Sequence, residues 1–410
     1  MGAGPELHPG DGSRRARGAL RPLETRGRGR SGGLSVAGFD FAAPGRIVFG
    51  RGRAAEAVPA LLGWGRRILL VRGGSVAFAD RLAADLAGAG ATVCQIRGRG
   101  EPDLPGLEAA LAEARAFAPE AVVAIGGGAV IDLGKALAAL VPSDRPVLDH
   151  LEVVGAGLPL PRAPLPLAAL PSTAGTGSEA TRNAVIGVPG AGRKVSLRDI
   201  RMLPRLALVD PVLTDGCPRA VTLASGLDAI VQVIEPYLSC RATPLTDALC
   251  AAAIPEGLAA LPRLMTAEDP AARDAMARVS LTGGLALANA GLGAVHGLAG
   301  VIGGRTGAAH GAICGRLLVP VLRANRAALD GAGGDPARIE RVLDWIRAAF
   351  GGPGAEALDR FGDWIAASGL PPLPKMHRAA VAAEALGSSS MKGNPVPLSA
   401  ATLAAVLAEA

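Results

Sequence analysis

The chain has 410 residues, enough for two domains or for one large domain plus a tail, and with half of them hydrophobic and 19% charged it is not wholesale disordered. Its 57 Gly and 32 Pro follow no Gly-X-Y period, which excludes collagen, and with 3% aromatics the core must be Ala, Leu, Val and Ile. The formal charge of +6 is concentrated in residues 1–37, seven Arg against three acids, so the near-neutral remainder argues against nucleic-acid binding by the folded body.

Residues 1–37 contain no apolar run, so no secretory signal is expected. Glu6, Asp11 and Glu24 also interrupt a transit-peptide pattern. The segment reads as a disordered Arg/Gly-rich tail. A β/α alternation follows. Strands are predicted over 46–50, 67–71, 91–96 and 121–125, and helices over 54–62, 78–87 and 107–117. Short apolar runs alternating with helices imply a parallel sheet with helices on both faces. After about residue 211 the texture changes. Helical spacing recurs over 220–239, 246–261, 270–287, 312–328, 336–349 and 355–367, with no convincing strand. The expected organisation is therefore a tail (1–37), an α/β dinucleotide-binding domain (38–211) and an all-helical domain (212–410). The stretch 279–304 lacks Asp, Glu, Lys and Arg and could span a bilayer by length. It is Gly/Ala-rich and holds Asn289 and His296, so a buried helix of a soluble bundle is the expectation.

Three segments carry chemistry. Gly126-Gly127-Gly128-Ala129-Val130-Ile131-Asp132-Leu133-Gly134-Lys135 follows a predicted strand directly. A glycine-rich strand–helix turn lets backbone N–H groups approach a phosphate, or is simply a tight turn. Pro171-Ser172-Thr173-Ala174-Gly175-Thr176-Gly177-Ser178-Glu179-Ala180-Thr181 packs five hydroxyls into one polar segment. It can cap helices or hydrogen-bond a ligand. The third is a sparse set in the helical half. His296 and His310 lie in glycine-rich surroundings, and Asp228 and Gln232 share a helix face upstream. An Asp among apolar neighbours needs a partner, either a hydrogen-bonding neighbour or a divalent metal. The five Cys (Cys94, Cys217, Cys240, Cys250, Cys314) are scattered and odd in number. They read as small core residues in a reducing compartment, not as ligands.

The ordered set GGG-x-x-x-Asp-x-x-Lys, STAGTGSEAT, GLDAxxxxIE and VHGLAG…AAHG resembles the iron-containing (group III) alcohol dehydrogenases. The resemblance runs from about Phe39 to the C-terminus and includes Ser388-Ser389-Ser390-Met391-Lys392-Gly393-Asn394-Pro395. It implies the dehydroquinate synthase-like architecture, an α/β domain and a helical domain with the site in the cleft between them. It also implies NAD(P)-dependent interconversion of a small alcohol and its aldehyde or ketone. Gly73, Gly127, Gly128, Asp132, Thr173, Thr176 and Ser178 would contact NAD or NADP. Asp228, His296 and His310 would be catalytic through Fe²⁺ or Zn²⁺. A cytoplasmic homodimer or larger homo-oligomer is expected, with neither a membrane nor nucleic acid as partner.

Three positions depart from the family pattern. Gln232 stands where a fourth ligand, usually His, is found; it could ligate, yield to a water, or weaken the site. Gly300 stands where many relatives carry a His near the nicotinamide. Gly73 stands where an Asp often repels a 2′-phosphate, so NADP(H) is expected to serve at least as well as NAD(H), with Arg72 or Ser75 receiving the phosphate. The alternatives are a metal-independent maleylacetate-type reductase of the same fold, a lyase resembling dehydroquinate synthase, and a non-catalytic cofactor-binding relative.

Overall fold

A computed structural model describes residues 1–2, 38–74, 76–353 and 355–410. The tail expectation, and the Ser75 one, lie outside the described residues. Residues 40–410 form one compact unit. Its first part alternates strand and helix: β1 (Ile47–Phe49), α1 (Ala57–Leu62), β2 (Arg67–Arg72), α2 (Ala77–Gly88), β3 (Thr92–Arg97), α3 (Leu104–Phe117), β4 (Ala121–Gly126), α4 (Gly128–Leu140) and α5 (Val147–His150). Then come β5 (Leu167–Pro171), a hairpin of β6 (Asn183–Val188) and β7 (Arg193–Arg198), and β8 (Leu206–Val209). After β8 the described residues are helical: α6 (Arg219–Leu238), α7 (Pro244–Thr266), α8 (Pro270–Ala290), α9 (Ala294–Thr306), α10 (His310–Gly331), α11 (Ala337–Phe350), α12 (Ala355–Ala367), α13 (Arg378–Ala385) and α14 (Ala400–Glu409).

The main sheet is parallel throughout, in the order β1-β8-β5-β4-β2-β3. Every residue of β4 is buried, as a strand covered on both faces requires. The chain order reverses between β2 and β4, which makes a crevice at the carboxyl ends of those strands. Arg72 is in register with Ile125, and Gly126 with Pro171. The ends of β2, β4 and β5 therefore lie side by side, and the turns after them open on one edge.

The four predicted strands are present. Strands β5 to β8 were not foreseen as such: β5 lies within the apolar run that leads into the polar loop, β8 is only four residues long, and β6 and β7 pair antiparallel outside the main sheet. The expected single helix over 279–304 is two helices, α8 and α9, bent by 100°. Gly291 adopts φ 73°, a left-handed conformation that ends α8 at little cost only for glycine. Helix α7 is long and apolar enough to cross a membrane by length and composition, but it packs against α6 and α8.

The 172–181 segment rests on α8. Gly177 has φ 56°, and a Cβ there would lie 2.4 Å from the Ser280 carbonyl oxygen and 2.5 Å from the Gly284 nitrogen. Both the backbone conformation and the close approach demand glycine. Gly177→Ala is expected to destabilise the protein by roughly 2–4 kcal/mol, read as a lower urea midpoint at unchanged m-value.

Candidate functional site

Helix α6 presents Asp228, Gln232 and Glu235 at i, i+4 and i+7, so all three share a face. His296 lies in the first turn of α9, and His310 begins α10. The fold brings these elements together. His296 Nε2 is 3.4 Å from Asp228 Oδ1, and His310 Nε2 is 3.7 Å from the same oxygen. Asp228 is 2% exposed and His296 6%, whereas the His310 side chain is 34% exposed. The site is closed below and open on the His310 side.

Asp228 Oδ1 and His296 Nε2 are both buried without a hydrogen-bond partner. Burying unsatisfied polar atoms is costly, so a pair of them facing each other fits the binding of a cation. The charges agree. Burial opposes protonation of His296, yet the Glu235 and Asp228 carboxylates outweigh it and push its pKa up to about 10. Burial also opposes ionisation of Asp228, but the two imidazoles hold its carboxyl below the usual range. Two carboxylates thus converge on one imidazole and call for positive charge. The donors, one carboxylate oxygen and two imidazole nitrogens, suit a divalent transition metal.

Glu235, to which the sequence reading gave no role, orients this set. Its Oε2 is 2.6 Å from His296 Nδ1, and its Oε1 accepts from the Val295 backbone N–H at 2.7 Å. A carboxylate holding Nδ1–H leaves Nε2 turned toward Asp228. Asn394 completes the mount. Its Oδ1 accepts from the Ala294 N–H at 3.0 Å, and its Nδ2 donates to Asn325 Oδ1 and the Val396 carbonyl. The Ser388–Pro395 motif therefore caps the helix that carries His296. The i+7 spacing from Asp228 was the signal for Glu235.

Gln232, expected among the metal ligands, has its amide nitrogen engaged by the neighbouring loop. One turn beyond Asp228, its Nε2 donates to the Thr176 carbonyl at 2.6 Å, tying α6 to the 172–181 loop. Cys314, read from sequence as core, is fully buried, yet its sulfur lies among the ligand atoms: those of Asp228, His296, His310 and Cys314 are all within 4.8 Å of one another. A Cβ at Gly300 would meet nothing within 4 Å, so the space a family His would fill is open. Elsewhere, His150 bonds Ser143 and the Leu158 carbonyl, and His377 caps α13.

At the sheet edge, α4 begins at Gly128 with no side-chain cap. Its first N–H groups face the crevice side of β4, as phosphate binding requires. Gly73, Gly127, Gly128 and Thr173 are half-buried around it and Thr176 is exposed. Asp132 does not fit its expected place on a pyrophosphate. Its Oδ1 takes the Ser178 hydroxyl and lies 3.0 Å from Lys135 Nζ, and its Oδ2 accepts from the Val185 N–H at 3.0 Å. Ser178, 3% exposed, is likewise spent on Asp132. Both position the loop; an aimed carboxylate would in any case repel a phosphate. Arg72 also differs from expectation. It is 3% exposed and paired with Asp80, so its guanidinium is occupied.

Beneath the loop, Lys135 Nζ is fully buried and donates to Thr181 Oγ1 at 2.8 Å. Glu179 is also buried, with Oε1 unpartnered. Burial pushes its carboxyl up to about 7, against an opposing pull from Lys135. A carboxyl raised on folding favours the folded state while protonated. That stability is lost as pH rises from 4.5 through about 7. Glu179→Gln should therefore stabilise the protein at pH 8 by on the order of 2 kcal/mol, read as a higher melting temperature, with the gain shrinking toward pH 5. An equal gain at both pH values would contradict the assignment.

Residues 44–211 match the model of the iron-containing alcohol dehydrogenases, and 222–367 that of the C-terminal part of the Fe-containing alcohol dehydrogenase family. The probable alcohol dehydrogenase EutG of Escherichia coli K12 is 39% identical over 228 residues, covering 55% of this chain and 57% of EutG. The chain thus spans little more than half of that relative in the match. Phosphonoacetaldehyde reductase of Streptomyces viridochromogenes is 36% identical over 319 residues, 75% of this chain and 80% of that protein. Among solved structures, a 1,3-propanediol oxidoreductase superposes with a TM-score of 0.80 at 27% identity, covering 91% of this chain and all of its own. Two adjoining family matches over most of the chain, around an Asp-His-His cluster and an uncapped helix at a sheet switch point, make this chain a member of the iron-containing alcohol dehydrogenase family.

Proposed function

We propose that the protein is an NAD(P)-dependent oxidoreductase that interconverts a small alcohol and its aldehyde or ketone by hydride transfer. The observation that carries this reading is the facing pair of buried, unpartnered atoms, Asp228 Oδ1 and His296 Nε2, with His310 in reach. In this reading residues 38–211 bind the dinucleotide and 212–410 the metal and substrate. Asp228, His296 and His310 hold Fe²⁺ or Zn²⁺. Such an ion supplies a Lewis acid that polarises the substrate carbonyl, and the nicotinamide supplies or accepts the hydride.

The chain's own residues do the rest. Glu235 keeps the His296 ring in one orientation. The α4 N-terminus and the backbone of Gly127 and Gly128 receive the pyrophosphate. Thr173 and Thr176 stand at the loop edge above them. Gln232 links that loop to the Asp228 helix, so the dinucleotide end and the metal end share one strut. Open space at Gly300 leaves room for substrate where a family His would stand. With no imidazole at 300, a proton leaves by water, a ribose hydroxyl or a Thr hydroxyl. The reading extends to a cytoplasmic homo-oligomer acting on small molecules.

The direct test is metal content together with NADH and NADPH oxidation over a panel of aldehydes, before and after chelation. About one metal per chain with chelator-sensitive turnover is expected. His296→Ala and His310→Ala should each lower kcat at least ~100-fold and leave dinucleotide binding within about threefold. Equal loss of both in a folded variant, or full turnover without metal, would count against the assignment.

Cofactor choice follows from the end of β2. Gly73 offers no carboxylate to repel a 2′-phosphate, and Arg97, exposed at the end of neighbouring β3, lies near the Asp80 carboxylate but outside the close pair that Asp80 makes with Arg72. NADP(H) should be used at least as readily as NAD(H) by kcat/KM. Arg97→Ala should lower the NADPH value about tenfold and leave the NADH value nearly unchanged.

A further inference from the structure

The ligand set expected from sequence leaves its fourth place to Gln232, and the structure sends that amide to Thr176. The Cys314 sulfur, in contrast, lies among the donor atoms of the cluster. Cys314 lies one turn beyond His310 on α10, so both side chains leave the same helix face. Its Sγ is 3.6 Å from His310 Nε2. The other measured separations in the cluster are 3.4 Å, Asp228 to His296, and 3.7 Å, Asp228 to His310. A tetrahedral ion with arms of about 2.0 to 2.3 Å has ligand-to-ligand edges of about 3.3 to 3.8 Å. The three distances are those of such edges, and all four ligand atoms lie within 4.8 Å of one another. The two unpartnered atoms, on Asp228 and His296, are on residues more than nine-tenths buried and point into the same space.

We infer that Cys314 is a metal ligand, so that the ion is held by one carboxylate, two imidazoles and one thiolate. This rests on the metal reading given above. The sulfur–metal bond forms as the S–H bond breaks and the proton leaves to water; nothing is oxidised or reduced. Two consequences separate this site from one completed by an amide. A thiolate supplies a second negative charge directly to a divalent ion, as a buried site favours. Sulfur is also a soft donor, which shifts preference from Fe²⁺ toward Zn²⁺.

The test uses the full-length protein stripped by chelation and reloaded with Co²⁺ or Zn²⁺. Wild type with cobalt is expected to show an intense near-ultraviolet thiolate-to-cobalt absorption. The band should vanish in Cys314→Ser and persist in Gln232→Ala. Zinc-edge X-ray absorption of wild type should show one sulfur at about 2.3 Å, and this decides the matter even where Cys314→Ser fails to fold. Cobalt bound without the band and zinc bound without sulfur would overturn the inference and leave the metal reading standing. A band that persists in folded Cys314→Ser would overturn it also. A wild-type protein that takes up neither ion would remove both readings together.

Discussion

The burial of the Asp228 carboxylate in an Ala/Leu/Gly helical core constrains the arrangement of α6, α9 and α10. A lone carboxylate at 2% exposure would be severely penalised, so the helices around it must supply compensation. They do so by close approach. A Cβ at Gly311 would lie 2.3 Å from the Ala224 carbonyl oxygen, so only glycine lets α10 come near enough for His310 to reach Asp228. Helix α9 is held by its first N–H groups, which Asn394 and Glu235 accept. Removing a partner from such a buried set is expected to cost about 3–5 kcal/mol, which makes the cluster structural as well as chemical.

A second buried polar cluster lies under the sheet edge, and it depends on the first. Lys135, Asp132, Ser178 and Thr181 lock the 172–181 loop from below. Gln232 holds the same loop from the side of α6. A change in one cluster is therefore transmitted to the other through a single short segment. In the proposed reaction that coupling would set the distance between a nicotinamide at the sheet and a carbonyl at the cluster, the quantity on which hydride transfer depends.

The departures from the family pattern gain meaning from their surroundings. At Gly300 the missing imidazole is matched by open space rather than by a compensating side chain. At Gly73 no side chain stands where a carboxylate was expected, and Arg72 is turned aside by Asp80. At Gln232 the amide nitrogen bonds the Thr176 carbonyl, while the Cys314 thiol lies among the donor atoms of the cluster.

Much of this was legible in the chain. Apolar runs fully buried in a parallel sheet need no alternation, so β2 and β4 announce themselves as RILLV and AVVAI. Glycine directly after a strand marks the turn at the crevice, and the i, i+4 spacing puts Asp228 and Gln232 on one face whatever the fold. Local periodicity and backbone stereochemistry suffice for such features. They do not reveal which way a side chain is drawn by residues distant in sequence. Asp132 and Ser178 are satisfied by each other, and Arg72 by Asp80. Cys314 joins the cluster because α10 abuts α6, and the α8–α9 break depends on Gly291 adopting a left-handed φ that glycine permits but does not require. The long helices and the buried strands β2 and β4 follow from short-range sterics and were determined by sequence. The partner of each buried polar atom follows from long-range packing, and only the tertiary structure decided it.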